Sequence, residues 1–181
     1  PGSNDPNDDF WGNWGTQGVA ASTNVPSARV NAVSWIDAEG DLWLFGGNGF
    51  LESGGLSQYA LNDLWLYDIS AEAWTWISGV SEYPGSNDPN DDFWGNWGTQ
   101  GVAASTNVPS ARANAVSWID AEGDLWLFGG NGCPKSGGLS QYAFTDPRLH
   151  DISADAWTWL SGLSEYPGSN DPNDDSRWNL G

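Results

Sequence analysis

Short runs of large apolar residues alternate along the chain with segments rich in Gly, Asn, Asp and Pro. This pattern predicts β-strands joined by turns, and it places four strands in the first part of the chain, at residues 31–36, 41–45, 62–67 and 73–78. The second strand is the nearly continuous apolar run Leu-Trp-Leu-Phe, which is typical of a strand covered on both faces. The fourth has Trp-Thr-Trp near its start and alternates, which is typical of a half-exposed outer strand.

The pattern belongs to a sequence repeat. The run Pro-Gly-Ser-Asn-Asp-Pro at residue 1 returns at residues 84 and 167, a period of 83 residues. Repeat 1 therefore covers residues 1–83, with a turn-rich loop at 1–27 and a four-strand unit at 28–79. Repeat 2 covers 84–166, with its loop at 84–110 and its four-strand unit at 111–162. Residues 167–181 begin a third repeat and hold loop sequence only.

The differences between the two repeats are clustered. Pro147, Arg148 and His150 stand in repeat 2 where repeat 1 has Leu, Trp and Tyr, and further differences fall at 133–135 and 176–180. Because proline removes a hydrogen-bond donor from a sheet, the third strand of repeat 2 is predicted to be shorter or more edge-like than that of repeat 1. The clusters indicate either a specialised second unit or the degraded or misread end of a longer array, and we favour the second.

A glycine pair after the second strand, followed by a Tyr and then a Trp, resembles the kelch motif. The residues are Gly46, Gly47, Tyr67 and Trp74, with Arg29 before the first strand. The segment at 18–29, which recurs at 101–112, is similar to a Gly-Val-Ala-Ala to Asn-Val-Pro to Ala-Arg run in bacterial kelch repeats related to the propeller of galactose oxidase. The resemblance covers essentially the whole chain. It implies an all-β fold of kelch-type β-propeller blades, each a four-stranded antiparallel sheet, with a binding function that is often extracellular.

About two such blades make an incomplete propeller, because closed propellers have roughly four to eight. Two blades alone leave unpaired strand edges and an exposed apolar flank. The chain is therefore expected to be a fragment of a longer propeller or to self-associate to complete one.

Charge narrows the range of partners. The formal net charge is −19, from 24 Asp and Glu against 5 Lys and Arg, so nucleic acid and anionic membrane surfaces are repelled. No apolar run approaches the roughly 20 residues that span a bilayer, so membrane insertion is not expected. Protein or carbohydrate partners are expected, and the resemblance implies a secreted or cell-surface location.

The Asn-Asp-Pro-Asn-Asp-Asp loop is the candidate metal site. Its side-chain oxygens are of the kind that Ca²⁺ prefers, and they come from Asp5, Asp8, Asp9, Asp88, Asp91 and Asp92. The same residue types are ordinary turn formers, and the spacing of an EF-hand loop is absent. Ca²⁺ is thus a candidate ion, and no other cofactor is expected.

Four loop tryptophans are the candidate ligand-binding residues, namely Trp11, Trp14, Trp94 and Trp97. Asn13 and Asn96 stand beside them, and aromatic faces with neighbouring amides suit stacking on sugars as they suit many other partners. The alternative, which we favour, is that these rings hold the long loop against its own blade. Arg29 and Arg112 are expected to form structural charge pairs or to bond loop carbonyls.

No catalytic constellation is recognised. His150 and Cys133 are the single residues of their types, whereas an oxidase resembling galactose oxidase needs paired histidines, a ligand tyrosine and a cysteine-tyrosine pair. The sequence also shows no Ser-His-Asp set and no phosphate-binding loop. A non-catalytic binding or scaffold module is therefore expected. The alternatives are a propeller fragment of a secreted carbohydrate-active or oxidase enzyme, and an engineered or recently amplified repeat with no dedicated ligand.

Overall fold

The computed structural model of the chain describes residues 11–51, 58–81, 94–132 and 142–162. These residues form strands and turns, and none of them lies in an α-helix. The strands of repeat 1 are β1 (Arg29–Val30), β2 (Val33–Ile36), β3 (Leu42–Gly49), β4 (Tyr59–Asp68) and β5 (Ala73–Ser78). Those of repeat 2 are β6 (Arg112–Ala113), β7 (Val116–Ile119), β8 (Leu125–Phe128), β9 (Asn131–Gly132), β10 (Tyr142–Ala143), β11 (Pro147–Asp151) and β12 (Ala156–Trp159).

The five strands of repeat 1 form one antiparallel sheet, called sheet 1. Both β1 and β2 pair with β3, and the order continues through β4 to β5 at the far edge. The fourth predicted strand is confirmed at 73–78, and its outer position is confirmed as well. The second predicted strand lies between two neighbours, as its continuous apolar run indicates.

The strand β3 continues to Gly49, so the prediction that it ends before the glycine pair is wrong. Gly46 and Gly47 have φ values of 62° and 96°, and the register of β3 against β4 shifts between Phe45 and Gly47. The pair therefore forms a β-bulge inside the strand, because glycine adopts positive φ at little steric cost.

Repeat 2 divides the same arrangement into two smaller sheets. The strands β7, β8, β11 and β12 form a four-stranded antiparallel sheet, called sheet 2, and β6, β9 and β10 form a three-stranded one. Where β4 runs for 10 residues, repeat 2 has β10 of 2 residues and β11 of 5. Pro147 is the first residue of β11, a position at which strands tolerate proline. The predicted shortening is thus confirmed, although β11 is not an edge strand, since it pairs with both β8 and β12.

The two sheets pack face to face in a head-to-tail manner. Residues that oppose each other across a strand pair share one face of a sheet. The front face of sheet 1 includes Val33, Trp35, Trp43, Phe45 and Leu64, and its back face includes Ile36, Leu42, Leu44, Tyr67 and Trp74. The equivalent front face of sheet 2 includes Val116, Trp118, Trp126, Phe128 and Pro147, and the back face includes Ile119, Leu125, Leu127, His150 and Trp157.

The front face of sheet 1 packs on the back face of sheet 2 in a single apolar cluster. The Phe45 and Trp157 rings lie 5.6 Å apart, and Trp43 lies 5.7 Å from the His150 ring. The indole Nε1 of Trp35 donates to the carbonyl oxygen of Trp126 at 3.2 Å. This cluster joins side chains of different repeats, such as Trp35 and the strand of Trp126 at a separation of 91 residues, so it makes the two repeats one packed unit.

The loop of each repeat lies along the outer edge of its own sheet. In repeat 1, Gly18 N donates to Trp76 O at 2.8 Å and Ala21 N donates to Trp74 O at 3.3 Å. The equivalent bonds in repeat 2 run from Gly101 and Ala104 to strand β12 at the same distances. Because an unpaired edge strand exposes carbonyl and amide groups, the loops cover part of the edges of β5 and β12.

Candidate interaction surface

Two of the candidate ligand-binding tryptophans are buried. Trp14 is 4% exposed, and its ring lies 5.0 Å from Trp65 and 5.4 Å from Trp76. Trp97 is 8% exposed and packs against Phe144 and Trp159. Stacking on a sugar requires an open aromatic face. The geometry therefore favours the interpretation that these rings hold the loop against its own sheet.

The other candidate residues of the loops also have structural contacts. Trp11 and Trp94 are partly buried, and Trp94 packs against the apolar cluster beside Trp65. The Asn13 amide donates to Thr23 O at 2.9 Å, while Asn96 accepts a bond from Gly98 N at 3.3 Å. These contacts shape the loop. A ligand role for Trp11, Trp94 and the two asparagines stays a prediction.

Two buried asparagines, which the sequence did not single out, anchor the loops. Asn24 donates to Trp74 O at 3.0 Å and to Val19 O at 2.9 Å. Asn107 repeats both bonds, to Trp157 O at 2.8 Å and to Val102 O at 3.0 Å. The signal that points to them is their retention inside the Val-Ala-Ala to Asn-Val-Pro run of each repeat.

The prediction of structural charge pairs for Arg29 and Arg112 is confirmed. Arg29 donates to both carboxylate oxygens of Asp63, at 2.7 and 2.6 Å, and to Gly46 O at 3.1 Å. Arg112 makes the equivalent bonds to Asp146, at 2.8 and 2.9 Å, and to Gly129 O at 3.0 Å. Each arginine thus ties the start of its four-strand unit to the glycine pair and to the third strand position, with charge-assisted bidentate geometry.

Arg148 occupies in repeat 2 the place that Trp65 has in repeat 1. The Trp65 Nε1 donates to Asp63 Oδ2 at 2.6 Å, and the Arg148 Nε donates to Asp146 Oδ2 at the same distance. The Arg148 guanidinium lies 3.8 Å from the centre of the Trp97 ring, where repeat 1 has the Trp65 indole tilted by 51° against Trp14. The substitution therefore keeps one hydrogen bond and one ring contact.

The exchange leaves two polar atoms without a partner. Both Nη atoms of Arg148 are buried and make no hydrogen bond. Desolvation by burial is the largest cause that lowers the pKa of Arg148, to about 10, although the Asp146 carboxylate opposes it. Repeat 2 therefore holds two buried arginines against one buried aspartate, where repeat 1 holds one of each.

His150, which replaces the motif tyrosine, lies in the interface between the two sheets. Its ring is 1% exposed and lies 4.8 Å from Trp157. The Nε2 atom is 3.3 Å from Asp155 Oδ1, whereas the Nδ1 atom is buried and makes no hydrogen bond. The contacts assign this histidine a packing position.

The candidate metal ligands lie outside the described residues, as does Cys133. Within the described ranges, no group of three or more His, Cys, Asp or Glu side chains is arranged to hold a metal ion. In the same ranges, no helix has the length and apolarity needed to cross a membrane.

An exposed apolar surface lies on the front face of sheet 2. Val116, Trp118 and Phe128 are 60%, 43% and 43% exposed, whereas the equivalent Val33, Trp35 and Phe45 of sheet 1 are 9%, 4% and 1% exposed. Trp118 stacks on Trp126 with centroids 5.4 Å apart and an interplanar angle of 12°. Contiguous exposed apolar surface is typical of an interaction site, so this face is the candidate interaction surface.

No protein-family model matches this sequence, and no curated protein matches it significantly.

Proposed function

We propose that this chain is a non-catalytic binding and scaffold module built of kelch-like β-propeller blades. The observation that carries the proposal is the head-to-tail packing of sheet 1 on sheet 2 through the cluster at Trp35, Phe45 and Trp157. In a propeller, each four-stranded sheet packs its face on the next one around an axis. Antiparallel sheets that pack in this order support the proposal, and sheet 1 has five strands because β1 and β2 both pair with β3.

Protein, rather than carbohydrate, is the partner class that we favour. Two of the four candidate tryptophans, Trp14 and Trp97, are buried and offer no open face for sugar stacking. The front face of sheet 2 instead offers adjacent aliphatic and aromatic side chains, which suit a protein surface. As in the family that the sequence resembles, we expect the module at a cell surface or outside the cell.

Adding one blade tests the scaffold. A chain with a further copy of residues 84–166 inserted after residue 166 should bury the front face of sheet 2 under the new blade. We expect its free energy of unfolding, measured by urea denaturation, to exceed that of the present chain, because repeat arrays gain one interface with each added unit. An unchanged unfolding midpoint, with separate transitions for the repeats, would mean that the units do not stack as blades.

A glycan array tests the partner class. We expect that no glycan on the array binds through these tryptophans. Trp11→Ala and Trp94→Ala, shown to be folded by circular dichroism, should therefore give the same array result as the unchanged chain. Specific binding that both substitutions abolish would instead support the carbohydrate alternative.

A further inference from the structure

We infer that the front face of sheet 2 binds the back face of sheet 1 from a second copy of this chain, in a heterologous contact. This inference rests on the proposed stacking of blades and names one partner for it. The partner surface is already present in each chain, because the front face of sheet 1 packs on the equivalent back face of sheet 2. The internal interface is therefore the template for the intermolecular one.

Both surfaces needed for this contact are incompletely covered. On the front face of sheet 2, Val116, Trp118 and Phe128 are exposed. On the back face of sheet 1, Ile36 is 67% exposed, and Leu42 and Leu44 are partly buried. Their counterparts Leu125 and Leu127, which the internal interface covers, are fully buried. The pair of packed sheets thus presents one half of the same interface on each of its two outer faces.

The residues that form the internal contact are nearly all preserved in the proposed one. Val116, Trp118, Trp126 and Phe128 have the same identities as Val33, Trp35, Trp43 and Phe45. Trp118 Nε1 would then donate to Trp43 O of the second copy, as Trp35 Nε1 donates to Trp126 O within the chain. Two differences remain. Pro147 stands on the front face of sheet 2 where the internal contact has the buried Leu64. Trp126 would meet Tyr67 of the second copy, where Trp43 meets His150 internally.

The heterologous geometry of the contact and the net charge of the chain both determine how the assembly grows. A heterologous contact leaves one free front face and one free back face on every open assembly, so chains add until a ring closes or a filament forms. The net charge of −19 repels approaching chains, and dissolved salt screens this repulsion. Self-association should therefore strengthen as ionic strength rises.

Sedimentation velocity of the full chain over a range of protein and salt concentrations measures the association. We expect assemblies that grow with concentration and with salt, and a loss of roughly thirty-fold in association constant for Trp118→Glu, which corresponds to the ~2 kcal/mol of a tryptophan hot spot. Val116→Glu is the second front-face variant. The control is Val102→Glu, whose side chain is 52% exposed on a loop and which should associate as the unchanged chain does.

Mixing two defective variants tests the head-to-tail geometry. Trp118→Glu retains an intact back face on sheet 1, and Ile36→Glu retains an intact front face on sheet 2. Each variant alone should sediment as a monomer, while their mixture should form a dimer of one copy each and nothing larger. A symmetric front-to-front contact predicts the reverse, namely dimers of Ile36→Glu alone, and that result would overturn the inference.

The outcome for self-association is separable from the outcome for blade stacking. A chain that stays monomeric at every salt concentration overturns the inference, whereas the added-blade chain can still show the stability gain that stacking requires. If the added blade gives no gain, the proposed function fails first. Circular dichroism of each variant establishes that a loss of association is not a loss of folding.

Discussion

Trp35 and Trp118 occupy the same position in two nearly identical repeats, yet one is buried in the interface and the other is exposed. The strand pairing around them is the same, since Trp35 opposes Trp43 and Trp118 opposes Trp126. What differs is the neighbour, because sheet 2 covers the front face of sheet 1 and no described residue of the chain does the same for sheet 2. An apolar strand face therefore indicates a surface to be covered, and the next unit decides whether it is.

A second contrast lies at the third strand. Trp65 and Arg148 bond the same aspartate oxygen in their repeats and pack against the same loop tryptophan. The indole satisfies its single donor there, whereas the guanidinium leaves both Nη atoms unpaired. The same backbone site thus tolerates an apolar and a charged side chain, and the charged one depends more on its aspartate.

The largest expected difference between the repeats concerns that aspartate. Asp63→Asn should lower the free energy of unfolding by about 3–5 kcal/mol, because it leaves Arg29 buried without its counter-charge. Asp146→Asn should cost more, since it leaves both Arg112 and Arg148 in that state. Urea denaturation of the two variants measures the contrast. Equal losses would show that Arg148 does not depend on Asp146.

The contrast between the buried Trp35 and the exposed Trp118 predicts the next largest difference in the free energy of unfolding. Trp35→Ala should lower the free energy of unfolding by about 3–5 kcal/mol, the usual cost of a cavity at a buried tryptophan. Trp118→Ala should cost about 1 kcal/mol, chiefly through its stacking on Trp126. Both are measured by urea denaturation at a dilution where the chain is monomeric. Similar losses for the two variants would contradict the packing of sheet 1 on sheet 2.

The contrast between Trp65 and Arg148 can be tested by placing each residue in the other repeat. Arg148→Trp should raise the free energy of unfolding by about 1–4 kcal/mol, because replacing a buried ion by a packed apolar group removes the desolvation cost. The reverse exchange, Trp65→Arg, should lower it, since the new guanidinium enters a buried site with a single aspartate. Thermal unfolding of both variants is the measurement. If Trp65→Arg instead raises the free energy of unfolding, a buried guanidinium at this position has no net desolvation cost.

The smallest expected difference lies at the glycine pairs. Gly46→Ala and Gly129→Ala should each cost about 1–2 kcal/mol for the left-handed backbone. Gly46→Ala should lose about 1–3 kcal/mol more, because a Cβ there would lie 2.6 Å from Arg112 O of the other repeat. At Gly129 the nearest atom, Phe144 O, would be 3.2 Å away. Equal effects in thermal unfolding would mean that the repeats approach each other less closely at this point.

Much of the local structure followed from residue patterns. The alternation at 73–78 predicts the fourth strand at its observed residues. The shortening of the third strand in repeat 2 followed from Pro147. These features depend on hydrogen bonding and sterics between residues that are close in the sequence, so the sequence around each one contains the information.

Other features cannot be predicted from the sequence, because they depend on contacts between residues that are far apart in the chain. The glycine pair was expected to end β3, but pairing with β4 carries that strand on to Gly49. The role of Asp63 and Asp146 was missed, although Asp146 is one of only two residues retained across the divergent segment 144–150. The candidate loop tryptophans were identified by type, yet the burial of Trp14 and Trp97 depends on a sheet that begins beyond the loop.

The sequence by itself determined the repeat, the position of most strands in repeat 1 and their antiparallel pairing, because these depend on local alternation, turn residues and backbone hydrogen bonds. Only the tertiary structure decided which of two identical apolar faces is buried. Trp35 and Trp118 carry the same local sequence, Val-Ser-Trp-Ile. Their exposure differs because burial is a property of the surface that packs against a residue, and that surface comes from a different repeat.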